Sequence, residues 1–445
     1  MDLTHELERL VQIYVESGKG TIEEGKRFYG SLKLEVHLSP TDSNTPAGQA
    51  AALTAISAGA RCFLGGVELT GDVNQELVLP FKYKTIGEAA IALGARNNVK
   101  SQLKVIIGNS SSANSGWVIK AWWNGWIAGC KTKNDSTPCG NGRNVLAGIA
   151  AGNIAVSEAF QQALGNPRAG LKSKSISLWN PVNPTDSGET NVYLPHSIWF
   201  IGLGNLGQSY MWSMLLLPFN TPSKLKVVLQ DYDLVQPPNL GTSILTAKKD
   251  FGRRKSDLVG EWASMRGFDV ARYDRRFDDS FRRQQDEPAI AITGLDSMKV
   301  RMLLGNAGFD YVIDAGLGDS AQSYHTFRLN VFYDEFSPQE HFKDMQDDGS
   351  NKVKMKLSSP EYQRELTGNP EKDCGVAQIA GASVAAPFVS GLVGALTIAQ
   401  AIRIASGKNP FKSVSGSIFQ DPIVFATEGE KPKAKYPGYS DEMAC

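Results

Sequence analysis

Residues 197–207 read S-I-W-F-I-G-L-G-N-L-G, an apolar run followed by glycines at 202, 204 and 207. Such a run forms a buried strand. Glycines at this spacing turn the chain tightly into a helix whose first N–H groups face outward beyond the strand end. Gly202 allows the turn, Gly204 lets backbone approach a phosphate, and Gly207 lets the helix lie close to the strand. Asn205, inside the turn, is counted with them as a nucleotide-binding candidate. The stretch commits its surroundings to an α/β fold.

A second apolar run, 225–229, leads to D-x-D-x-V-x-x-x-N-L at 231–240, then to Gly252 and Lys255. Asp231 suits a ribose hydroxyl, whether of a nicotinamide cofactor or of ATP. Asp233 and Asn239 belong to the same cluster. Lys255 supplies an ammonium able to neutralise a triphosphate. Asp296 follows a third run, 289–293, within T-G-L-D-S, and Arg301 comes five residues later. A carboxylate at a strand edge beside a phosphate site is a natural Mg²⁺ ligand. An NAD-dependent oxidoreductase explains the glycines and Asp231 but leaves Lys255 and Asp296 without a task. A protein that binds ATP and Mg²⁺ uses all of them.

The chain has room for two domains at 445 residues. Residues 1–190 and 191–445 each alternate strand and helix patterns, which implies mostly parallel sheets with helices on both faces, a Rossmann-like α/β class. In the first, strands are expected at 32–37 and 103–107 and helices at 49–60 and 144–164, with a polar loop at 108–116. A linker rich in Pro, Asn, Ser and Thr spans 180–190. In the second, strands are expected at 198–201, 225–229, 289–293, 311–314 and 326–332. Each half has a late small-residue helix ended by G-N-P or G-K-N-P, so the first reads as a degenerate copy lacking the glycine fingerprint. Beyond residue 412 a weak strand at 418–425 and a mobile last dozen residues are expected.

Lys+Arg and Asp+Glu balance at 46 each, which gives no footprint for nucleic acid or a membrane surface. The uncharged segment 379–402 matches a membrane span in length, but its Gly, Ala, Ser and Pro suit a buried helix packed on a sheet. The charged N-terminus is not a secretion signal. The five cysteines include no C-x-x-C pair, and the histidines (His5, His37, His196, His325, His341) show no metal-ligand spacing. Reduced thiols in a cytoplasmic protein follow.

The order G-x-G-x-x-G, D-x-D-x-V-x-x-x-N-L, G-x-x-K, D-S-x-x-V-R resembles the adenylation domain of the ThiF/MoeB/HesA superfamily, which includes the ubiquitin-activating enzymes. The resemblance covers 197–404, including a late helix similar to the superfamily's G-P-x-x-G-x-x-G-x-x-Q-A-x-E-A-I. It implies that Asp231 holds the ATP ribose, Asn239 and Lys255 the phosphates, and Asp296 Mg²⁺. It also implies adenylation of the C-terminal carboxylate of a β-grasp, glycine-ended ubiquitin-like protein, with a conjugating enzyme downstream. The ubiquitin-activating branch pairs one active with one degenerate fold, an arrangement a degenerate first half here fits, and bacterial ubiquitin-like conjugation systems, some in phage-defence operons, have activating enzymes of this type. A sulfur-carrier or peptide adenylyltransferase without a thioester is the alternative, and a non-catalytic scaffold is another. The family's Arg-Gln after N-L is replaced by Thr242 and Ser243, for which Arg253 or Arg254 could stand in. The zinc cysteine pairs of the sulfur-transfer branch are absent.

Cys374, in E-K-D-C-G before the late helix, lies where the family places its catalytic cysteine and is the candidate nucleophile, with Lys372 favouring the thiolate and Asp373 opposing it. Lys255 and Arg301 complete the catalytic candidates. Cys62 and Cys130 have core surroundings; Cys139 and Cys445 have polar ones. Trp117, Trp122, Trp123 and Trp126 are read as packing, and Arg275, Arg276, Arg282 and Arg283 as a solvated face.

Overall fold

The computed structural model describes residues 8–109, 116–345, 354–381, 383–433 and 436–445. His5 and the middle of loop 108–116 lie outside the described residues, as does the side chain of Lys372.

The first sheet comprises β1 (Lys33–Leu38), β2 (Gly66–Gly71), β3 (Leu103–Ile107), β4 (Trp117–Asn124), β5 (Ile127–Thr132) and β6 (Lys174–Ser177), in the order β2-β1-β3-β4-β5-β6. It is parallel from β2 to β4 and antiparallel beyond. After β7 (Asn191–Leu194) the second sheet is built from β8 (Ser197–Ile201), β9 (Lys226–Gln230), β10 (Asp269–Tyr273), β11 (Ile290–Thr293), β12 (Tyr311–Leu317), β13 (Thr326–Phe332), β14 (Phe411–Ser417) and β15 (Val424–Glu428). Its order is β10-β9-β8-β11-β12-β13-β14-β15, parallel as far as β12 and antiparallel beyond. A separate ribbon pairs β7 with β16 (Asp441–Ala444).

Before and within the first sheet run helices α1 (Glu8–Glu16), α2 (Ile22–Ser31), α3 (Pro46–Ala60), α4 (Ile86–Ala92) and α5 (Val145–Ala163). The second half carries α6 (Asn205–Leu216), α7 (Lys255–Arg266), α8 (Met298–Leu303), α9 (Pro338–Phe342), α10 (Pro360–Gln363), α11 (Pro370–Gly381) and α12 (Pro387–Ala405).

Strands β2-β1-β3-β4-β5-β6 and β9-β8-β11-β12-β13-β14 share one order and change from parallel to antiparallel at the same place. In each half a helix follows the central strand (α3, α6) and a second precedes the last of these strands (α5, α12). These four helices meet. α3 packs on α5, α6 on α12, and α5 on α12 across the middle of the molecule. Small residues make this approach possible. A Cβ at Gly148 of α5 would stand 2.2 Å from the Ala47 carbonyl oxygen, and one at Gly394 of α12 would stand 2.6 Å from that of Ser209. The apolar α12 is long enough to cross a membrane by length and composition, yet nearly all of it is buried in this core, chiefly against helices rather than a sheet. Trp212 of α6 donates to Thr54 Oγ1 of α3 at 2.9 Å, and Phe160 and Phe388 lie 5.4 Å apart, so one core runs through both halves.

Several expectations need correction. Residues 418–423 form the turn between β14 and β15 rather than a strand. The end of the chain is held in place: β16 pairs with β7, Cys445 N–H donates to the Thr190 carbonyl at 2.8 Å, and Cys445 is buried. Of the arginine run, Arg275, Arg276 and Arg282 are exposed as expected, while Arg283 is half-buried and donates to three carbonyls. Trp122, Trp123 and Trp126 are buried, with Trp126 packed 5.1 Å from Trp179.

Candidate functional site

At the C-terminal end of β8 the chain turns through Gly202, whose φ of +84° favours glycine. A Cβ at Gly207 would stand 2.1 Å from the Gly202 carbonyl oxygen, so the first turn of α6 rests directly on the glycine turn. A Cβ at Gly204 would meet nothing within 4 Å. Gly204 caps α6 without any side-chain hydrogen bond, and the N–H groups of Asn205, Leu206 and Gly207 find no acceptor among the described residues. The amide oxygen and nitrogen of Asn205 are also buried without partners. N–H groups without acceptors, the positive end of a helix dipole and the open space at Gly204 are the parts of an anion cradle.

Asp231, just past β9, braces that cradle. Its carboxylate accepts from Leu203 N–H at 2.6 Å and Asp233 N–H at 2.7 Å. Burial raises its pKa, while the Lys255 ammonium and these two N–H groups pull the other way. Two bonds leave a carboxylate with acceptor capacity for a ribose hydroxyl. Lys255 Nζ bonds Asp233 Oδ2 at 2.7 Å, and its backbone N–H donates to the Asp233 carbonyl. Val235 N–H donates to the Arg253 carbonyl and Gly252 N–H to that of Val235. This small antiparallel bridge explains the fixed spacing from Asp233 to Lys255, and Gly252, at φ +82°, makes the return. Asn239 accepts from Gln236 N–H at 2.8 Å and shapes the 3-10 turn Pro237–Gly241.

The other candidates are arranged differently. Asp296 is exposed in the loop between β11 and α8. No group of three His, Cys, Asp or Glu that could hold a metal occurs among the described residues. Arg301 turns inward. Its Nε donates to the Leu295 carbonyl at 2.7 Å, its Nη2 to that of Ala315 at 3.2 Å, and its Nη1 lies 3.6 Å from Asp314, all within the β11–β12 region. Those contacts tie the loop before α8 to β12. Arg253 is engaged by Asp250 and Glu261, and Arg254 donates to the Tyr232 carbonyl, so both are already committed. Cys374 is exposed on α11.

Two contributors escaped sequence reasoning. Gln208 Oε1 accepts from Leu245 N–H and Thr246 Oγ1, joining α6 to the loop after Asn239. Arg61, at the end of α3, reaches that loop from the first half. Its Nε donates to the Ser243 carbonyl and its Nη2 to those of Ile244 and Thr246, while Nη1 bonds Ser57. Burial lowers its pKa to about 10, which leaves it charged at neutral pH. Its partners are carbonyls from a distant part of the chain, which carry no motif.

The corresponding place in the first half is filled. After β1, Asp42 Oδ2 accepts from Asn109 N–H at 2.9 Å and Thr41 Oγ1 at 2.7 Å. α3 begins with Pro46, which has no N–H; Ala47 N–H donates to the Gly142 carbonyl and Gly48 N–H to Thr45 Oγ1. No first-turn donor is left for a phosphate.

Residues 194–408 match the family described as BilD C-terminal domain, and residues 33–178 match BilD N-terminal domain. The bacterial E1-like protein BilD of Collimonas sp. (strain OK412) is 30% identical over 457 residues, covering 98% of this chain and 96% of that protein. Among solved structures, E. coli MccB with SeMet MccA aligns at 14% identity and a TM-score of 0.36, over 55% of this chain and 66% of that one. MccB with AMPCPP and SeMet MccA aligns at 12% and 0.35, over 72% and 98%.

Proposed function

Because the chain belongs to the BilD family, which includes a bacterial E1-like protein, we propose that it adenylates the C-terminal carboxylate of a ubiquitin-like protein and passes the acyl group to Cys374. The observation that carries this reading is the cradle, with open N–H groups on α6, the Asp231 carboxylate behind them and the Lys255 ammonium held close by on Asp233.

ATP is the substrate of this site. Its phosphates lie against the N–H groups of 205–207, with Asn205 and Asn239 at the edge, and its ribose hydroxyls reach Asp231. Lys255 exchanges the Asp233 carboxylate for a phosphate oxygen, which keeps it in place before the nucleotide arrives. The partner's carboxylate oxygen attacks the α-phosphorus and the bond to pyrophosphate breaks. Cys374 Sγ, as thiolate, then attacks the acyl carbon, AMP leaves and a thioester remains. Mg²⁺, when bound at Asp296, would supply charge neutralisation on the phosphate oxygens. Arg301 acts as a positioning residue for the Asp296 loop. A conjugating enzyme would take the thioester.

The first half serves as the degenerate partner fold. The shared strand order and the Asp42 carboxylate in place of an anion support this assignment. From that half Arg61 holds the loop in which Thr242 and Ser243 stand where the superfamily has Arg-Gln, through carbonyls rather than phosphate.

ATP–pyrophosphate exchange that depends on a small glycine-ended protein tests the first step, and absence of exchange with the genuine partner would sink it. An adenylate without a thiol-sensitive adduct would restrict the activity to adenylation. A Cys374→Ala chain that still forms a reducible adduct would exclude that residue.

A further inference from the structure

Away from the cradle, a cavity of about 760 Å³ opens between the two halves. None of Gly202, Gly204, Asp231, Lys255 or Asp296 lines it. Its walls come from the end of α3, the segments 80–83 and 92–96, the loop 240–250 and the middle of α7. Leu93, Leu245, Leu258 and Trp262 give it an apolar interior, and Phe81 lies against Trp262 with ring centroids 6.1 Å apart. The volume falls within the roughly 300–1,000 Å³ of small-molecule sites, which are mostly apolar with a few polar groups setting orientation.

The rim supplies those polar groups, and they are positive. Lys82, Arg96 and Lys249 are exposed there. Lys82 and Lys249 form no ion pair among the described residues, and Arg96 makes one long bond of 3.4 Å to the Leu64 carbonyl. The two acids of the cavity, Asp250 and Glu261, are both taken up by Arg253. An apolar chamber closed on two sides by different halves, with uncompensated cations at its mouth, favours a guest with an apolar body and an anionic head.

The geometry points to a binding site for an apolar organic anion, an aromatic or medium-chain carboxylate, with its body against Leu93, Leu245 and Trp262 and its charge between Lys82 and Lys249. A bound guest contacts both halves at once and so stabilises their union.

The test uses the full chain without nucleotide or partner, so its outcome is independent of the adenylation reading. The probe is 8-anilinonaphthalene-1-sulfonate, followed by fluorescence and by energy transfer from tryptophan, with decanoate and uncharged decanol as competitors. Saturable one-to-one binding displaced by decanoate, and only weakly by decanol, is expected. Lys82→Glu/Lys249→Glu and Met265→Glu should each weaken it by about tenfold, a change of about 1.4 kcal/mol. Met265 lies on the wall and is 61% exposed, so glutamate there should leave the fold intact, as a thermal melt would show. Absence of saturable binding, or saturable binding untouched by both variants, overturns the proposal, as does displacement by decanol equal to that by decanoate.

Discussion

The two glycines at the entrance to α6 should respond to the same methyl group in opposite ways. At Gly207 an added Cβ would stand 2.1 Å from the Gly202 carbonyl oxygen. An ordinary C···O contact needs roughly 3.3 Å, so turn and helix must part by about 1 Å. Alanine inside a helix is otherwise favoured over glycine by about 1 kcal/mol. Overpacking of this kind costs about 1–3 kcal/mol, which at the upper end outweighs the gain. Gly207→Ala is therefore expected to lower thermal stability, because the opposing carbonyl belongs to backbone and cannot swing aside. At Gly204 the added Cβ meets nothing. Stability should stay within about 1 kcal/mol of the parent, since a poorer cap is offset by a less flexible unfolded chain. The methyl would instead occupy space that a phosphate needs. Loss of one N–H bond to a charged group costs about 1.5–3 kcal/mol, or about 10- to 150-fold in ATP affinity. Thermal melts and calorimetric ATP titration of the two variants separate the effects. A Gly204→Ala chain with parental ATP affinity would show that the phosphates lie elsewhere.

Arg61→Ala should destabilise the protein by on the order of 3 kcal/mol in urea denaturation, because it strips donors from buried carbonyls of Ser243, Ile244 and Thr246. Arg61→Lys should recover little, since one ammonium cannot match the fork; full recovery would refute the clamp. Lys174 and Glu158 form a buried ion pair, so Lys174→Met alone should cost about 3–5 kcal/mol, and adding Glu158→Gln should restore part of it. A double variant no more stable than Lys174→Met would contradict this. Burial pushes the Cys130, Cys139 and Cys445 thiols up to about 12 and raises that of Cys62 as well, while Cys374 is exposed. Brief iodoacetamide treatment of the native chain at neutral pH should label Cys374 first. Mass spectrometry showing Cys445 labelled ahead of it would contradict the burial.

Local patterns carried much of this structure. The run 197–201, its glycines, and the D-x-D and G-x-x-K spacing each encode one turn or bridge, and local chain geometry suffices to read them. Helices of small residues, expected at 49–60, 144–164 and 384–404 and found at 46–60, 145–163 and 387–405, could be recognised too, but not their partners. Gly394 faces Ser209 because two distant helices meet, and periodicity says nothing of that. Strands β4 and β5 hid in a tryptophan-rich stretch whose alternation is masked by burial on both faces. The tail looked mobile because its composition is polar, yet pairing of β16 with β7 is a backbone matter and depends little on side chains. Arg301 stood at the motif's spacing, but the buried Asp314 and two carbonyls claim its guanidinium. Gln208 and Arg61 act on carbonyls and N–H groups, which leave no trace in a motif.

The occupied first-half turn at Asp42 has a consequence for inheritance. In a pair assembled from two identical chains, any substitution enters both folds together, so neither can lose its cradle without the other. With the two folds written into one chain, each drifts under its own constraints. If the first half is the degenerate partner fold proposed above, it can carry proline and an internal carboxylate at this turn, provided that α3 and α5 still fit α6 and α12. Selection on this half should therefore be read along the shared helices and at Arg61 rather than at the turn that Asp42 fills.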